Sequence, residues 1–422
     1  MNSHVMVIFG STGDLCFNKL LPSLASLIKE KPNCLDAIIL VGRQVKNIKE
    51  YELLALERGL SQTDFNGLSP HLHYVHMQST DLHDYGHLSK QMQSYSHRYF
   101  YIATPPSMYP IILENLTKAL LFKKQLTHHR IAFEKPFGEN GLGSNLLNDL
   151  VHQHSDEKQI FRVDHYLAKP LIRELVSIRE KHPKWNRLLH APALKKVTVT
   201  AFETLGILSR GKFYDQTGAI HDMIQSHLFE TLSLAVMPLP HRLDVASLQQ
   251  AKVQFFKSLV LDPLSVILGQ YDSYRRELNV LPDSMTETFA HVSFTSSIPQ
   301  FKKTIFTIQT GKRLSKKLTE IRFEFETVTV VFNVSPLLKV KWTVMEGKQS
   351  YPHELESLRS YSFINEEAYV KIFKDFIAGD QTLFPSAMEI EATWKLVDQI
   401  KQLNRLPKLY QHEKDLLGEQ YE

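Results

Sequence analysis

The sequence predicts an α/β domain built on a doubly wound parallel sheet, followed by an α+β domain with a large, mainly antiparallel sheet and helices. Three observations predict it. Short apolar runs alternate with helical stretches through residues 1–160. A turn containing two glycines follows the first of those runs. Beyond residue 190 the pattern changes to period-two strands with no long helices between them.

Taken in order, Val5–Phe9 is a continuous apolar run, the pattern of a strand buried on both faces of a parallel sheet. Asn18–Glu30 carries Leu20, Leu21, Leu24 and Leu27 at helical spacing. Ala37–Val41 repeats the strand pattern and Ile48–Gly59 the helical one. Tyr99–Thr104 is a strand ended by Pro105-Pro106, and a helix follows to about Leu120. Arg130–Phe133 is a further strand, running into Glu134-Lys135-Pro136-Phe137-Gly138. Strands separated by helices of this length imply βαβ units. The junction falls near residue 160, giving domains 1–160 and 161–422. Just past it, the run Ile160, Phe161, Val163 delivers Asp164, His165, Tyr166 and Lys169. A carboxylate, an imidazole, a phenol and an ammonium so close at a strand end point to a polar site.

The turn after the first strand is Gly10-Ser11-Thr12-Gly13-Asp14-Leu15. Glycines there let the backbone turn tightly and approach a pyrophosphate resting on the next helix. Its position predicts a Rossmann-like dinucleotide site. The second strand discriminates between cofactors, because an acid at its end binds ribose hydroxyls in NAD sites while an arginine accommodates the 2′-phosphate of NADP. Here the strand ends Leu40-Val41-Gly42-Arg43-Gln44, with Lys46 behind and no acid. NADP is the expected cofactor and Arg43 its phosphate ligand.

In the second half, Val197, Val199, Ala201 and Glu203 share one face of a strand, so Glu203 is expected to look inward. A helix from Thr217 to about Met237 has Ile220, Met223, Ile224, Leu228 and Ala235 on its apolar stripe, and His227 lies on that stripe. Ala290–Ser296, Thr304–Gln309, Thr319–Phe325, Thr327–Phe332 and Lys339–Thr343 read as antiparallel strands. Helices at about Glu366–Ala378 and Ala387–Leu403 close the chain.

Composition excludes several classes of function. A 43% apolar and 22% charged chain is an ordinary globular one. A net charge of +4 gives no argument for nucleic acid. No apolar stretch approaches the ~18 residues of a membrane span, and with the chain running straight into Val5 no leader is expected. Cys16 and Cys34 form no disulfide framework, so a reducing, cytoplasmic location is expected. His71, His73, His76, His128 and His129 lack the spacing of a zinc site, and no metal is expected.

Glu134-Lys135-Pro136-Phe137-Gly138, Arg162-Val163-Asp164-His165-Tyr166-Leu167-Ala168-Lys169, and the run from Phe202-Glu203 to Asp222-Met223-Ile224-Gln225-Ser226-His227 resemble the glucose-6-phosphate dehydrogenase family, in order and at the family's distances. The resemblance extends from the Gly10 turn to Glu367-Ala368-Tyr369. It implies oxidation of glucose 6-phosphate to 6-phosphogluconolactone by NADP, with His227 as general base and Asp164 holding its imidazole. By the same resemblance His165, Tyr166, Lys169 and Lys317 hold the phosphate, and Glu203, Asp222 and Lys312 bind sugar hydroxyls. Lys135 would lie between sugar and nicotinamide, with Gly10 to Leu15, Arg43, Ala103 and Pro105 also on the cofactor, and the Pro136 bond would be cis. A homodimer or dimer of dimers is implied. Ala168, Pro170, Ser226, Cys16, Ser335 and Asn333 depart from the family pattern. Ser335 stands at a substrate-binding glutamine position, and Asn333 at an arginine linked to a second, structural NADP, a site expected to be absent. Two other readings stay open: a related dehydrogenase acting on another phosphorylated or amino sugar, and a non-catalytic NADP-binding sensor.

Overall fold

The computed structural model describes residues 3–190, 192–336, 338–344 and 366–418, which fold into two compact units. One unit comprises Met1–Gly138, Leu142–Ala168 and Glu366–Ala387; the other comprises Glu139–Gly141, Lys169–Asn365 and Met388–Glu422.

The first unit is built on six strands, β1 (His4–Phe9), β2 (Ala37–Gly42), β3 (Leu72–His76), β4 (His97–Ile102), β5 (His129–Glu134) and β6 (Ile160–Val163). Their order is β3-β2-β1-β4-β5-β6, and every neighbouring pair is parallel. This is the dinucleotide-binding order, in which the chain reverses its direction of winding between β1 and β4. The continuous apolar runs have their reason here: Val5 to Phe9 are all fully buried. The first helical stretch differs from the expected regular helix. A wide turn over Cys16–Leu20 precedes an α-helix at Leu21–Glu30, because Pro22 has no N–H to continue a regular ladder. Leu21, Leu24 and Leu27 of that helix share one core with Tyr369, Phe373 and Phe376 of the helix Ala368–Ala378. The later segment is also tied by polar contacts. The Arg130 guanidinium donates to the carbonyls of Phe376 (2.9 Å) and Ile377, and Lys374 pairs with Glu30 at 2.6 Å.

Among the described residues the second unit carries nine strands: β7 (Leu194–Phe202), β8 (Leu259–Leu261), β9 (Ile267–Tyr271), β10 (Phe289–Ser296), β11 (Ile305–Gly311), β12 (Leu318–Phe325), β13 (Val328–Ser335), β14 (Lys339–Val344) and β15 (Lys408–Tyr410). They run β14-β13-β12-β7-β11-β10-β9-β15, with β8 beside β10. Most pairs are antiparallel as expected, but β7–β11 and β9–β15 are parallel. The partners of both parallel pairs are far apart in sequence, with helices between them, so each can return in the same direction as its neighbour. Helices cover one face through aromatic contacts such as Phe229–Phe294 and Phe255–Phe306, each at 5.5 Å between ring centroids.

The expected single helix from Thr217 to Met237 is in fact three pieces. Gly211–Ala219 ends with Gly218 at φ 64°, a wide i→i+5 helix spans Ile220–Leu228, and an α-helix follows at Phe229–Val236. The apolar stripe survives the break, so residue pattern alone does not reveal it. Among the described residues no helix is long and apolar enough to cross a membrane.

Candidate active site

In the first unit the glycine turn lies where the sheet switches direction. Gly10 has φ 78°, and a Cβ on it would stand 2.6 Å from the carbonyl oxygen of Ala103. Only glycine allows the ends of β1 and β4 to approach this closely. Ser11 is locked underneath: its N–H and hydroxyl both donate to the Val41 carbonyl (3.2 and 3.0 Å), and its own carbonyl accepts from Tyr51 Oη at 2.7 Å. Gly13 N–H closes the turn on the Gly10 carbonyl at 3.0 Å, while Gly13 and Asp14 stay exposed. The Asp14 carboxylate pairs with Arg58 at 3.2 Å. Arg43 is exposed just past β2 and makes no ion pair among the described residues. Ala103 and Pro105 follow β4 at the same end of the sheet. A cradle that a Cβ would fill, beside an uncommitted cation, suits a phosphorylated dinucleotide.

At the ends of β5 and β6 the polar residues are held by tyrosines. The Glu134 carboxylate accepts from Tyr101 Oη at 2.5 Å and from Tyr369 Oη at 3.3 Å, and its carbonyl accepts from Tyr109 Oη at 2.6 Å. The Lys135–Pro136 bond that follows is cis. Burial pushes the Glu134 carboxyl up to about 7, against the opposing pull of the two phenols and Lys135. A pKa raised in the folded state contributes stability that is fully present below the ordinary glutamate range and is lost as pH rises through about 7. The wild-type melting temperature should therefore exceed that of Glu134→Gln by more at pH 5 than at pH 8. Parallel pH curves for the two proteins would refute the linkage. After β6, Asp164 is 2% exposed and accepts the Tyr166 N–H at 2.9 Å, turning the chain. The His165 ring lies parallel to that of Tyr369, 6.3 Å away and tilted by 10°.

The second unit begins at Lys169, which precedes a helix starting on Pro170. Pro170 thus occupies a first-turn position, where its missing N–H costs nothing. Glu203 follows the last residue of β7, and its N–H donates to the Gly311 carbonyl at 2.9 Å. Its carboxylate accepts from Lys312, whose ammonium stands 5.3 Å from the centre of the Tyr214 ring. Asp222, 5% exposed, pairs with Arg210 at 3.3 Å. His227 is 1% exposed, and its carbonyl accepts from the Thr231 hydroxyl at 2.8 Å.

The expectation that Glu203 looks inward is corrected. Its side chain is 46% exposed, because β7 ends at Phe202 and the strand's alternation stops there. Glu203 and Lys312 are brought together, while Lys317 is exposed beside the start of β12. Three residues that the local pattern did not single out are Arg210, Tyr214 and Glu134. Glu134 had a signal, since an acid closing an apolar strand is unusual; Arg210 and Tyr214 had none.

A direction-switching parallel sheet with a glycine cradle at its switch point is the architecture of a dinucleotide-binding protein. The family described as "Glucose-6-phosphate dehydrogenase, NAD binding domain" matches residues 7–174, and "Glucose-6-phosphate dehydrogenase, C-terminal domain" matches residues 177–416. The chain belongs to the glucose-6-phosphate dehydrogenase family. It is 29% identical to the glucose-6-phosphate 1-dehydrogenase of Helicobacter pylori strain J99, covering 98% of this chain and 97% of that one. It is 30% identical to that of Streptococcus pneumoniae serotype 4, covering 96% and 90%. The crystal structure of the Mycobacterium avium glucose-6-phosphate 1-dehydrogenase superposes with a TM-score of 0.86 at 27% identity, covering 97% and 94%.

Proposed function

We propose that this chain oxidises D-glucose 6-phosphate to 6-phospho-D-glucono-1,5-lactone with hydride transfer to NADP, the first step of the oxidative pentose phosphate pathway. The observation that carries the reading is the match of both family domains, in order, across residues 7–416. NADP, when bound, supplies the hydride acceptor. The chain's own residues bind, orient and move one proton. His227 takes the proton of the C1 hydroxyl as the general base. Asp164 fixes the imidazole tautomer and stabilises its charged form. His165, Tyr166, Lys169 and Lys317 receive the phosphate dianion, where donors and positive charge make charge-assisted bonds. Glu203, Asp222 and Lys312 take the sugar hydroxyls; the existing Glu203–Lys312 pair supports this, since it keeps both groups ready at the end of the sheet. Lys135 lies with sugar and nicotinamide. A cytoplasmic homodimer or dimer of dimers completes the reading.

Initial rates with NADP and NAD across a panel of hexose phosphates test it, in wild type and Arg43→Ala. Saturable NADP reduction with glucose 6-phosphate is expected. A preference for another hexose phosphate would favour the related-dehydrogenase reading, which Ser335 motivates. Loss of one charge-assisted contact of roughly 1.5–3 kcal/mol should raise the NADP KM in Arg43→Ala about 10- to 100-fold. The NAD KM should stay close to wild type. Equal effects on both cofactors would remove Arg43 as the 2′-phosphate ligand.

A further inference from the structure

We propose that Glu287 is a positioning residue for the sugar-binding and proton-accepting side chains, acting through the helix that carries them; this rests on the roles given above to Asp222 and His227. Both lie on the wide helix Ile220–Leu228. A helix start leaves backbone N–H groups without intrahelical partners, and an i→i+5 helix lengthens that gap. Glu287 fills it twice. Its carbonyl accepts the Ala219 N–H at 2.9 Å, and its carboxylate accepts the Ile220 N–H at 3.2 Å. The residue is 5% exposed, and Lys401 reaches its two carboxylate oxygens at 3.3 and 3.5 Å. Gly218 makes the room. It breaks the preceding helix at φ 64°, and a Cβ there would stand 2.5 Å from Glu287 Oε1.

The same short segment also holds the second sugar-binding group. Thr288, the next residue, accepts the Lys312 N–H on its carbonyl at 3.0 Å. Its hydroxyl meets Tyr410 Oη at 3.0 Å, and Tyr410 donates in turn to the Lys312 carbonyl at 2.5 Å. Residues 287 and 288 therefore fix the start of the Asp222–His227 helix on one side and the Lys312 loop on the other. A cap that served stability alone would not need to sit at the junction of both. Misplacement by about 1 Å at a remote support can cost on the order of 10²-fold in rate.

Steady-state kinetics of Glu287→Ala, Glu287→Asp and Glu287→Gln in the full chain test this. Glu287→Ala should lower kcat and raise the glucose 6-phosphate KM, for a combined loss of about 10- to 100-fold in kcat/KM. The NADP KM should stay near wild type. Glu287→Gln, which keeps an acceptor oxygen in place, should restore most of the loss. A fold that was merely less populated would lower kcat without moving the sugar KM. Should Glu287→Ala fail to fold, Glu287→Asp, one methylene shorter, is read the same way. An unchanged sugar KM in the shortened variants, or a glutamine variant as impaired as alanine, would overturn the proposal. His227→Asn assayed alongside separates the two readings. If it retains turnover, the base assignment falls; if it is inactive while the Glu287 variants keep a normal sugar KM, only the positioning role falls.

Discussion

Replacing His227 by asparagine should lower kcat about 10²- to 10⁴-fold, the usual worth of a positioned general base, while leaving glucose 6-phosphate binding close to wild type. The imidazole is 1% exposed on a helix whose neighbouring positions, Ile224 and Leu228, are also buried. Its backbone carbonyl is tied to the Thr231 hydroxyl at 2.8 Å, so the smaller amide will not swing the helix out of place. Asparagine can still donate and accept a hydrogen bond, but it cannot hold a proton at neutral pH. Binding should survive for that reason while proton removal does not. The check is a pair of measurements on one preparation: kcat from NADP reduction, and sugar affinity from equilibrium binding. Turnover near wild type would end the assignment of His227. A loss of sugar affinity as large as the loss of kcat would recast it as a binding residue.

The contrast between what could and could not be read locally has a physical basis. The parallel sheet was legible because strands buried on both faces must be apolar throughout, as Val5–Phe9 is. The glycine turn after β1 was legible because glycines after a first strand report a close approach, here Gly10 against Ala103. Glu203 shows the limit of strand alternation. Period-two alternation turns a side chain inward only while the strand continues, and β7 ends one residue before Glu203. The helix around His227 shows a similar limit. Widening a turn from i→i+4 to i→i+5 leaves an apolar face intact, so Ile220, Met223 and Ile224 look the same in either geometry. Only Gly218 hinted at the break. Long-range partners were invisible altogether. Nothing near Tyr369 says that its hydroxyl will meet Glu134, and nothing near Glu287 says that it will cap a helix earlier in the chain. Such pairs are set by the packing of whole elements, which local periodicity does not encode.

The same holds for the buried charges of the second unit, where the largest stability effect is expected. Lys252, on the helix Val245–Ser258, is 1% exposed and pairs with Glu230 at 3.0 Å and Glu389 at 2.5 Å. Both carboxylates are buried as well, and they lie on two further helices, Phe229–Val236 and Ala387–Gln402. Burial alone would depress the ammonium; instead the two carboxylates hold its pKa well above the ordinary lysine range. Removing the lysine takes away the cation that the two buried carboxylates share. Breaking a buried ion pair in this way costs about 3–5 kcal/mol, so Lys252→Met should lower the thermal denaturation midpoint substantially. The shape of methionine resembles the lysine stem, so little of that loss should come from packing. A triple variant, Glu230→Gln with Lys252→Met and Glu389→Gln, removes all three charges together and should recover most of the midpoint, because buried ion pairs are often close to neutral against uncharged replacements. If the single and triple variants melted alike, the destabilisation would come from lost hydrogen bonds and not from stranded charge. If Lys252→Met melted like wild type, the triad would not brace these helices at all. Since Glu230 continues the helix that bears His227, a bracing role further predicts that the triple variant keeps most of the wild-type kcat at temperatures below its midpoint.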